Sequence, residues 1–218
     1  MRDLQPLIAS LLPELVELRH DLHRHPELGY EEHETAARIV SQLQDVPGIE
    51  LRTGVAGTGV VATLGAERAG ACVALRADMD ALPIQEANTF DHGSRHPGLM
   101  HACGHDGHTA MLLGAAQYLA ETRNFDGTVV VIFQPAEEGG GGGREMCEDG
   151  MMERWGIQEV YGMHNWPGMP TGSFGIRAGS FFAATDQFDI TFEGRGGHAA
   201  KPHETVDTTV MSAQAVLA

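Results

Sequence analysis

Thr128-Val129-Val130-Val131-Ile132-Phe133-Gln134-Pro135-Ala136-Glu137-Glu138 is the stretch on which the fold turns. A continuous run of β-branched and apolar residues with no polar alternation predicts a strand buried on both faces, as in a parallel sheet covered by helices. The run ends at two adjacent carboxylates and a loop of five glycines, residues 139–143. Working outward, Gly57 to Leu64 and Cys72 to Ala77 read as further strands, and Val160 to Met163 as another buried one. Between them Met111, Leu112, Ala115 and Leu119 give Thr109 to Leu119 the spacing of a helix. Nearer the N-terminus, apolar residues recur at three- and four-residue intervals from Leu7 to Leu22. That is an amphipathic helix in which Pro13 must either occupy the first turn or kink the segment. His25-Pro26 closes it, and Glu31 to Leu43 forms a second helix with Ala36, Ile39, Val40 and Leu43 inward. Strands alternating with helices predict the α/β class, a mostly parallel sheet sandwiched by helices.

After Gly179 the texture changes. Phe188-Asp189-Ile190-Thr191-Phe192 alternates as in a half-exposed strand, and Thr205 to Leu217 reads as helix. A second domain is therefore expected to begin at about Thr185, dividing the chain into residues 1–184 and 185–218.

The 218 residues include 30 acidic and 14 basic side chains, a formal net charge of −16. So acidic a surface has no electrostatic footprint for a nucleic-acid backbone or an anionic membrane, and neither is expected as a partner. No apolar run approaches the length that spans a bilayer, and the N-terminus lacks a basic-then-apolar leader, which predicts a cytoplasmic protein. Three cysteines are too few and too dispersed for a disulfide framework.

Chemistry concentrates just after the strands. Asp78 and Asp80 follow one, Glu137 and Glu138 a second, and His164 a third, and open α/β sheets bind ligands outside the carboxyl ends of their strands. A fourth segment, HACGHDGH at 101–108, leads into the helix at Thr109. Cys, His, Glu and His converging from separate elements form a metal-ligand set, with a thiolate suiting zinc or a similar borderline metal. In the Glu137-Glu138 pair one carboxylate binding metal would leave the other free to carry a proton from water, the division of labour of a metallohydrolase. The glycines would let the backbone pass close to substrate or metal.

Each element also has a plain reading. Glu-Glu before glycines is commonly a solvated turn, and the glycine run lacks the Lys-Ser/Thr of a phosphate loop. A single cysteine is more often a small buried hydrophobe, which is the expectation for Cys72 and Cys147. His20, His23, His25 and His33 are expected to be structural, because no carboxylate pair joins them, and His92 and His96 to be solvated.

Six ordered motifs carry a resemblance: DLHRHPEL at 21–28, RADMDALP at 76–83, MHACGHDGH at 100–108, QPAEEGG at 134–140, MHN at 163–165 and GGHAAKPH at 196–203. In order and spacing they resemble the dinuclear-metal amidohydrolases of the aminoacylase and carboxypeptidase superfamily. The nearest branch is that of hippurate hydrolases, N-acyl-amino-acid amidohydrolases and auxin-conjugate hydrolases. The resemblance implies hydrolysis of the amide bond of a small N-acyl amino acid, with a dipeptidase or aminoacylase activity as the alternative. It implies Cys103, His105, Glu138 and His164 as ligands of two divalent ions (Zn, Mn, Ni or Co), Glu137 as general acid/base, and Asp80 as the carboxylate orienting a ligand. Residues 185–218 then correspond to the start of an α+β lid through which such enzymes form homodimers, with His198 stabilising the oxyanion in a partner's site. Family members continue past this length to a last metal-ligating His, so the chain is expected to be an N-terminal part with little activity of its own, a metal-binding fragment.

Overall fold

The computed structural model describes residues 5–65, 69–184 and 186–218. The chain divides into two compact units, Met1–Gly168 and Met169–Ala218. The first is built on a five-stranded sheet of order β1-β2-β4-β3-β5, formed by β1 (Ile49–Val55), β2 (Gly59–Leu64), β3 (Cys72–Asp78), β4 (Thr128–Gln134) and β5 (Glu159–Gly162). β2 is antiparallel to both β1 and β4, whereas β3 is parallel to β4 and β5. Four of the five strands thus run in one direction and β2 opposes them, in keeping with the mostly parallel sheet expected from sequence.

The deciding run at 128–134 shows why the sheet is covered twice. Side chains alternate across a strand, so Val131 and Phe133 enter one core and Val130 and Ile132 the other. The first core holds α1 (Gln5–Arg24), α2 (His33–Leu43) and α3 (His105–Thr122), which contribute Leu15, Leu18, Ile39, Leu43, Leu112, Leu113 and Ala116. On the opposite face lie Met146 of α4 (Gly142–Glu148), Met151 of α5 (Met151–Trp155) and Ile157. Phe133 is the largest side chain sealed inside the unit.

Several local expectations are corrected. Of the two places expected for Pro13, the first turn is excluded: it lies inside α1, and the helix continues through it. The ring deprives the Ala9 carbonyl of its partner, and Ala9, Leu12 and Pro13 are all exposed, so water can take that place. The strand read as buried at Val160 to Met163 is β5, which is exposed along its whole length because it occupies an edge of the sheet. Cys72 is buried as expected, but Cys147 lies exposed on α4. The glycine run gives way to helix at Gly142 and packs against its own chain. A Cβ at Gly142 would lie 1.8 Å from the Pro135 carbonyl oxygen.

In the second unit, residues 188–192 form no strand. Phe188 and Ile190 are exposed, and an alternating run becomes a strand only beside a partner, which the described residues do not offer. Arg195 and Val206 form an isolated bridge, Pro202–Glu204 make a short 3-10 turn, and α6 spans Thr208–Leu217. Asp207 caps α6 by accepting from the Thr209 amide at 2.8 Å. Thr185, the expected domain boundary, lies outside the described residues.

Candidate metal centre

The parallel strands bring their carboxyl ends to one rim. Asp78 closes β3 opposite Gln134 of β4, and the chain reaches Glu137 and Glu138 three and four residues later; His164 follows β5 in the same way. His105 opens α3 directly after Cys103-Gly104. Gly104 has φ +89°, and a Cβ there would meet the Asn165 side chain at 2.6 Å. Only glycine lets these two loops close on each other.

Hydrogen bonding fixes the faces of the imidazoles. His105 Nδ1 lies 2.9 Å from the Asp80 carbonyl oxygen and 3.1 Å from Asp80 Oδ1. Both are acceptors, so Nδ1 donates and Nε2 is left with its lone pair. His164 Nδ1 donates to the Asn165 carbonyl at 2.7 Å, which turns its Nε2 towards Cys103 Sγ at 3.3 Å. His108 donates from Nδ1 to Asp78 Oδ1 at 2.6 Å and accepts the Asn165 amide at Nε2.

Carboxylates surround the His105 nitrogen. Its Nε2 is 3.6 Å from Asp78 Oδ2, 3.9 Å from Glu137 Oε2 and 4.0 Å from Glu138 Oε1. The ligand atoms of Cys103, His105 and His164 lie within 4.8 Å of one another, and so do those of His105, Glu137 and Glu138. All five residues expected at the centre therefore meet around His105. Asp80 sits behind them, with Oδ2 accepting the Glu138 amide at 2.8 Å. His198 belongs to the other unit, where it is exposed and its Nδ1 accepts the Ala200 amide.

Electrostatics differ from group to group. Burial pushes the Cys103 thiol up to about 12, with the Glu138 charge adding to it. Burial also lifts the Glu137 carboxyl above the usual carboxylate range, again helped by Glu138. Burial is the largest single effect on Asp78 and Asp80 and acts upward, but the hydrogen bonds from His108 and His105 together with the Arg76 charge beside Asp78 and the backbone amides that bond Asp80 outweigh it, and both carboxyls fall. Burial opposes a charge on His105, yet the Asp80 bond and the surrounding carboxylates raise its pKa.

The donor set fits divalent metal. His105 Nε2 is buried without a hydrogen-bond partner, and two lone-pair nitrogens, a thiol and two carboxylates face a common space. An orphaned buried nitrogen is costly unless something binds it, and a cation would draw the Cys103 proton off.

Sequence reasoning missed two participants, and elsewhere the partners of His23. His108 and Arg76 clamp Asp78, the latter through Nη1 at 2.7 Å; the three-residue spacing of His105 and His108 on one helix was the available signal. His23 was expected to have no carboxylate near it. It is buried between Asp106 Oδ2 at 2.9 Å and Glu86 Oε1 at 3.0 Å.

Residues 74–217 match the profile of peptidase family M20/M25/M40. The chain belongs to that family. Two curated M20 relatives are IAA-amino acid hydrolase ILR1-like 2 of Arabidopsis thaliana and N-acyl-L-amino acid amidohydrolase of Geobacillus stearothermophilus. The first is 48% identical over 204 residues, 93% of this chain and 46% of the relative. The second is 44% identical over 216 residues, 98% and 58% respectively. The M20 chain thus spans about half the length of the curated relatives it matches. Among solved structures, the Bacillus subtilis YXEP protein, described as a dinuclear metal binding peptidase from the M20 family, superposes with a TM-score of 0.71. Identity there is 42%, over 75% of this chain and 46% of that one.

Proposed function

We propose that the protein carrying this chain hydrolyses the amide bond of small N-acyl amino acids, hippurate-like or N-acetylated. Cys103, His105, Glu138 and His164 hold two divalent ions, consistent with the YXEP protein's description as dinuclear. The observation that carries the reading is the pair of carboxylates facing His105 Nε2, Glu137 at 3.9 Å and Glu138 at 4.0 Å, of which Glu137 has the raised pKa. Bound divalent metal supplies Lewis-acid polarisation of the acyl carbonyl and lowers the pKa of the attacking water.

The chain's own residues divide the remaining work. Glu137 Oε2 takes a proton as the water oxygen bonds to the acyl carbon, then returns it to the amide nitrogen as the carbon–nitrogen bond breaks. The products are the free carboxylic acid and the amino acid. Glu137 is 43% exposed at its side chain against 25% for Glu138, which suits the more open carboxylate to substrate water and the other to metal. Asp80 orients the His105 ring and holds the Glu138 backbone. Residues 1–184 form the metal-binding part of the catalytic domain and 185–218 the start of a lid that makes a homodimer, in which His198 donates to the oxyanion of the partner's site. No described helix is long and apolar enough to cross a membrane. With the −16 charge, this favours a cytoplasmic enzyme acting on a small molecule, with no nucleic-acid or membrane partner.

The test is a substrate panel of hippurate, N-acetyl-amino acids and dipeptides, with and without chelator. Chelator-sensitive release of amino acid from the N-acyl substrates is the expected result. Cleavage confined to dipeptides would overturn the substrate class and favour the dipeptidase reading.

A further inference from the structure

Glu32 is a carboxyl side chain sealed completely inside the protein, and no arginine or lysine among the described residues forms a salt bridge with it. Its Oε2 accepts the Thr58 hydroxyl at 2.5 Å, and its Oε1 accepts the backbone N–H of Ala136 at 2.8 Å. Ala136 immediately precedes Glu137-Glu138, is itself fully buried, and has φ +48°. A left-handed backbone is sterically unfavourable for an alanine, so the surrounding structure must impose it. Without the left-handed residue, the chain leaving β4 would continue in another direction and the two carboxylates would leave the rim.

We infer that Glu32 is a positioning residue: its bond to the Ala136 amide holds that residue left-handed and so aims Glu137 and Glu138 at His105. The same N-terminal loop reaches the segment twice more. Tyr30, also at positive φ (+65°), donates its hydroxyl to the Gly140 carbonyl at 2.8 Å, and Gly29 packs against Ala136, where a Cβ would come within 2.9 Å. With Asp80 gripping the Glu138 amide, residues 136–140 are held at three backbone atoms. A long side chain ending in an acceptor oxygen reaches both the Thr58 hydroxyl and the Ala136 amide in this dry site.

The inference rests on the proposed ligand role of Glu138, and the experiment separates the two. The affinity for Zn(II) is measured by chelator competition on the purified protein carrying this chain, together with circular dichroism to confirm folding. The variants are Glu32→Met, Glu32→Asp, Glu32→Gln, the Ala136→Gly change in the Met and Asp backgrounds, and Glu138→Ala. Glu32→Met removes the acceptor at nearly constant volume, and Glu32→Asp withdraws it by one methylene. Each is expected to weaken Zn(II) binding tenfold or more, the scale of lost outer-shell contacts. Glu32→Gln keeps an amide oxygen for the Ala136 N–H, and its affinity should stay within about threefold of the parent. Ala136→Gly adopts the left-handed conformation without steric cost and should restore roughly tenfold of the loss.

A role confined to stability would lower the thermal midpoint in every Glu32 variant without that recovery. Folded Glu32→Met or Glu32→Asp binding Zn(II) as the parent does, while Glu138→Ala does not, would overturn the inference and leave the ligand assignment standing. So would failure of Ala136→Gly to rescue. If Glu32→Met does not fold, Glu32→Asp alone decides by the same criteria. Unchanged affinity in Glu138→Ala would overturn both.

Discussion

Asp80 and Glu138 are joined at 2.8 Å, backbone N–H to Oδ2, while the other oxygen of the same carboxylate faces His105 Nδ1 at 3.1 Å. One buried side chain therefore sets the ring face of one candidate ligand and the backbone of another. Two strand ends, β3 and β4, are coupled through it, and the dry surroundings make each bond count for more than it would in water.

Replacing Asp80 with Asn keeps the shape but turns one acceptor into a donor. Either His105 Nδ1–H or the Glu138 amide then faces an N–H. Metal affinity is expected to fall 10–100-fold, read by chelator competition, with secondary structure retained in circular dichroism.

Glu137→Gln should separate binding from chemistry. The amide can still occupy the site but cannot move a proton, so kcat on N-acyl substrates in the protein carrying this chain is expected to drop about 10²–10⁴-fold. Zn(II) affinity should stay within a few-fold of the parent, because Glu138 holds the ion. Normal turnover in a metal-loaded Glu137→Gln variant would remove Glu137 from its role.

The buried His23 makes stability depend on pH. Its bond to Asp106 raises the imidazole pKa above 6.5 against the opposing effect of burial, and Glu86 on its other nitrogen adds to the rise. A group whose pKa is higher folded than unfolded stabilises the fold fully below the unfolded value, and that contribution is lost as pH rises through the folded one. Thermal midpoints measured from pH 5.5 upward should therefore decline past 6.5 in the parent. They should decline less in His23→Gln, which starts from a lower midpoint because Asp106 and Glu86 lose the imidazolium.

Phe133→Ala tests the core beneath the rim. The ring is fully buried among Val60, Leu113 and Val131, and its removal leaves a cavity costing about 3–5 kcal/mol. Urea denaturation should show that loss as a lower midpoint with an unchanged slope.

How much of this was legible in the sequence depended on whether the signal was local. β2, β3 and β4 announce themselves because each carries its own apolar run, and the residues just beyond them were placed at the rim by chain order alone. The pair Glu137-Glu138 followed from that placement, His164 from its place after β5 and Cys103 from the segment leading into α3; the choice of His105 within that segment and the separate roles of Glu137 and Glu138 came from the resemblance. β1 was missed because its alternation is short: Ile49 and Leu51 pack on the core while Glu50 and Arg52 are exposed, and the pattern stops at Thr53-Gly54. The exposure of β5 depends on the strand order of the sheet, which no single segment encodes. Residues 188–192 alternate as a strand should, but pairing needs a second strand. His23 and Glu32 act through partners 83 and 104 residues away and nothing in their immediate neighbours marks them, while His108, bonded to Asp78 30 residues away, is marked only by its spacing from His105.

The parallel pairing of β3 with β4 and β5 sets the order in which the centre comes into being. Cys72 must find Thr128, and Val73 must find Glu159, across about 55 and 85 intervening residues, and such non-local closures are slow and come late in folding. Until both crossovers dock, Asp78, Glu138 and His164 hang from separate strands and no cation can bridge them. The cradle is thus a product of the finished topology. Metal that enters it acts as a latch on the completed sheet, restraining its opening while leaving the search for the fold to the chain itself.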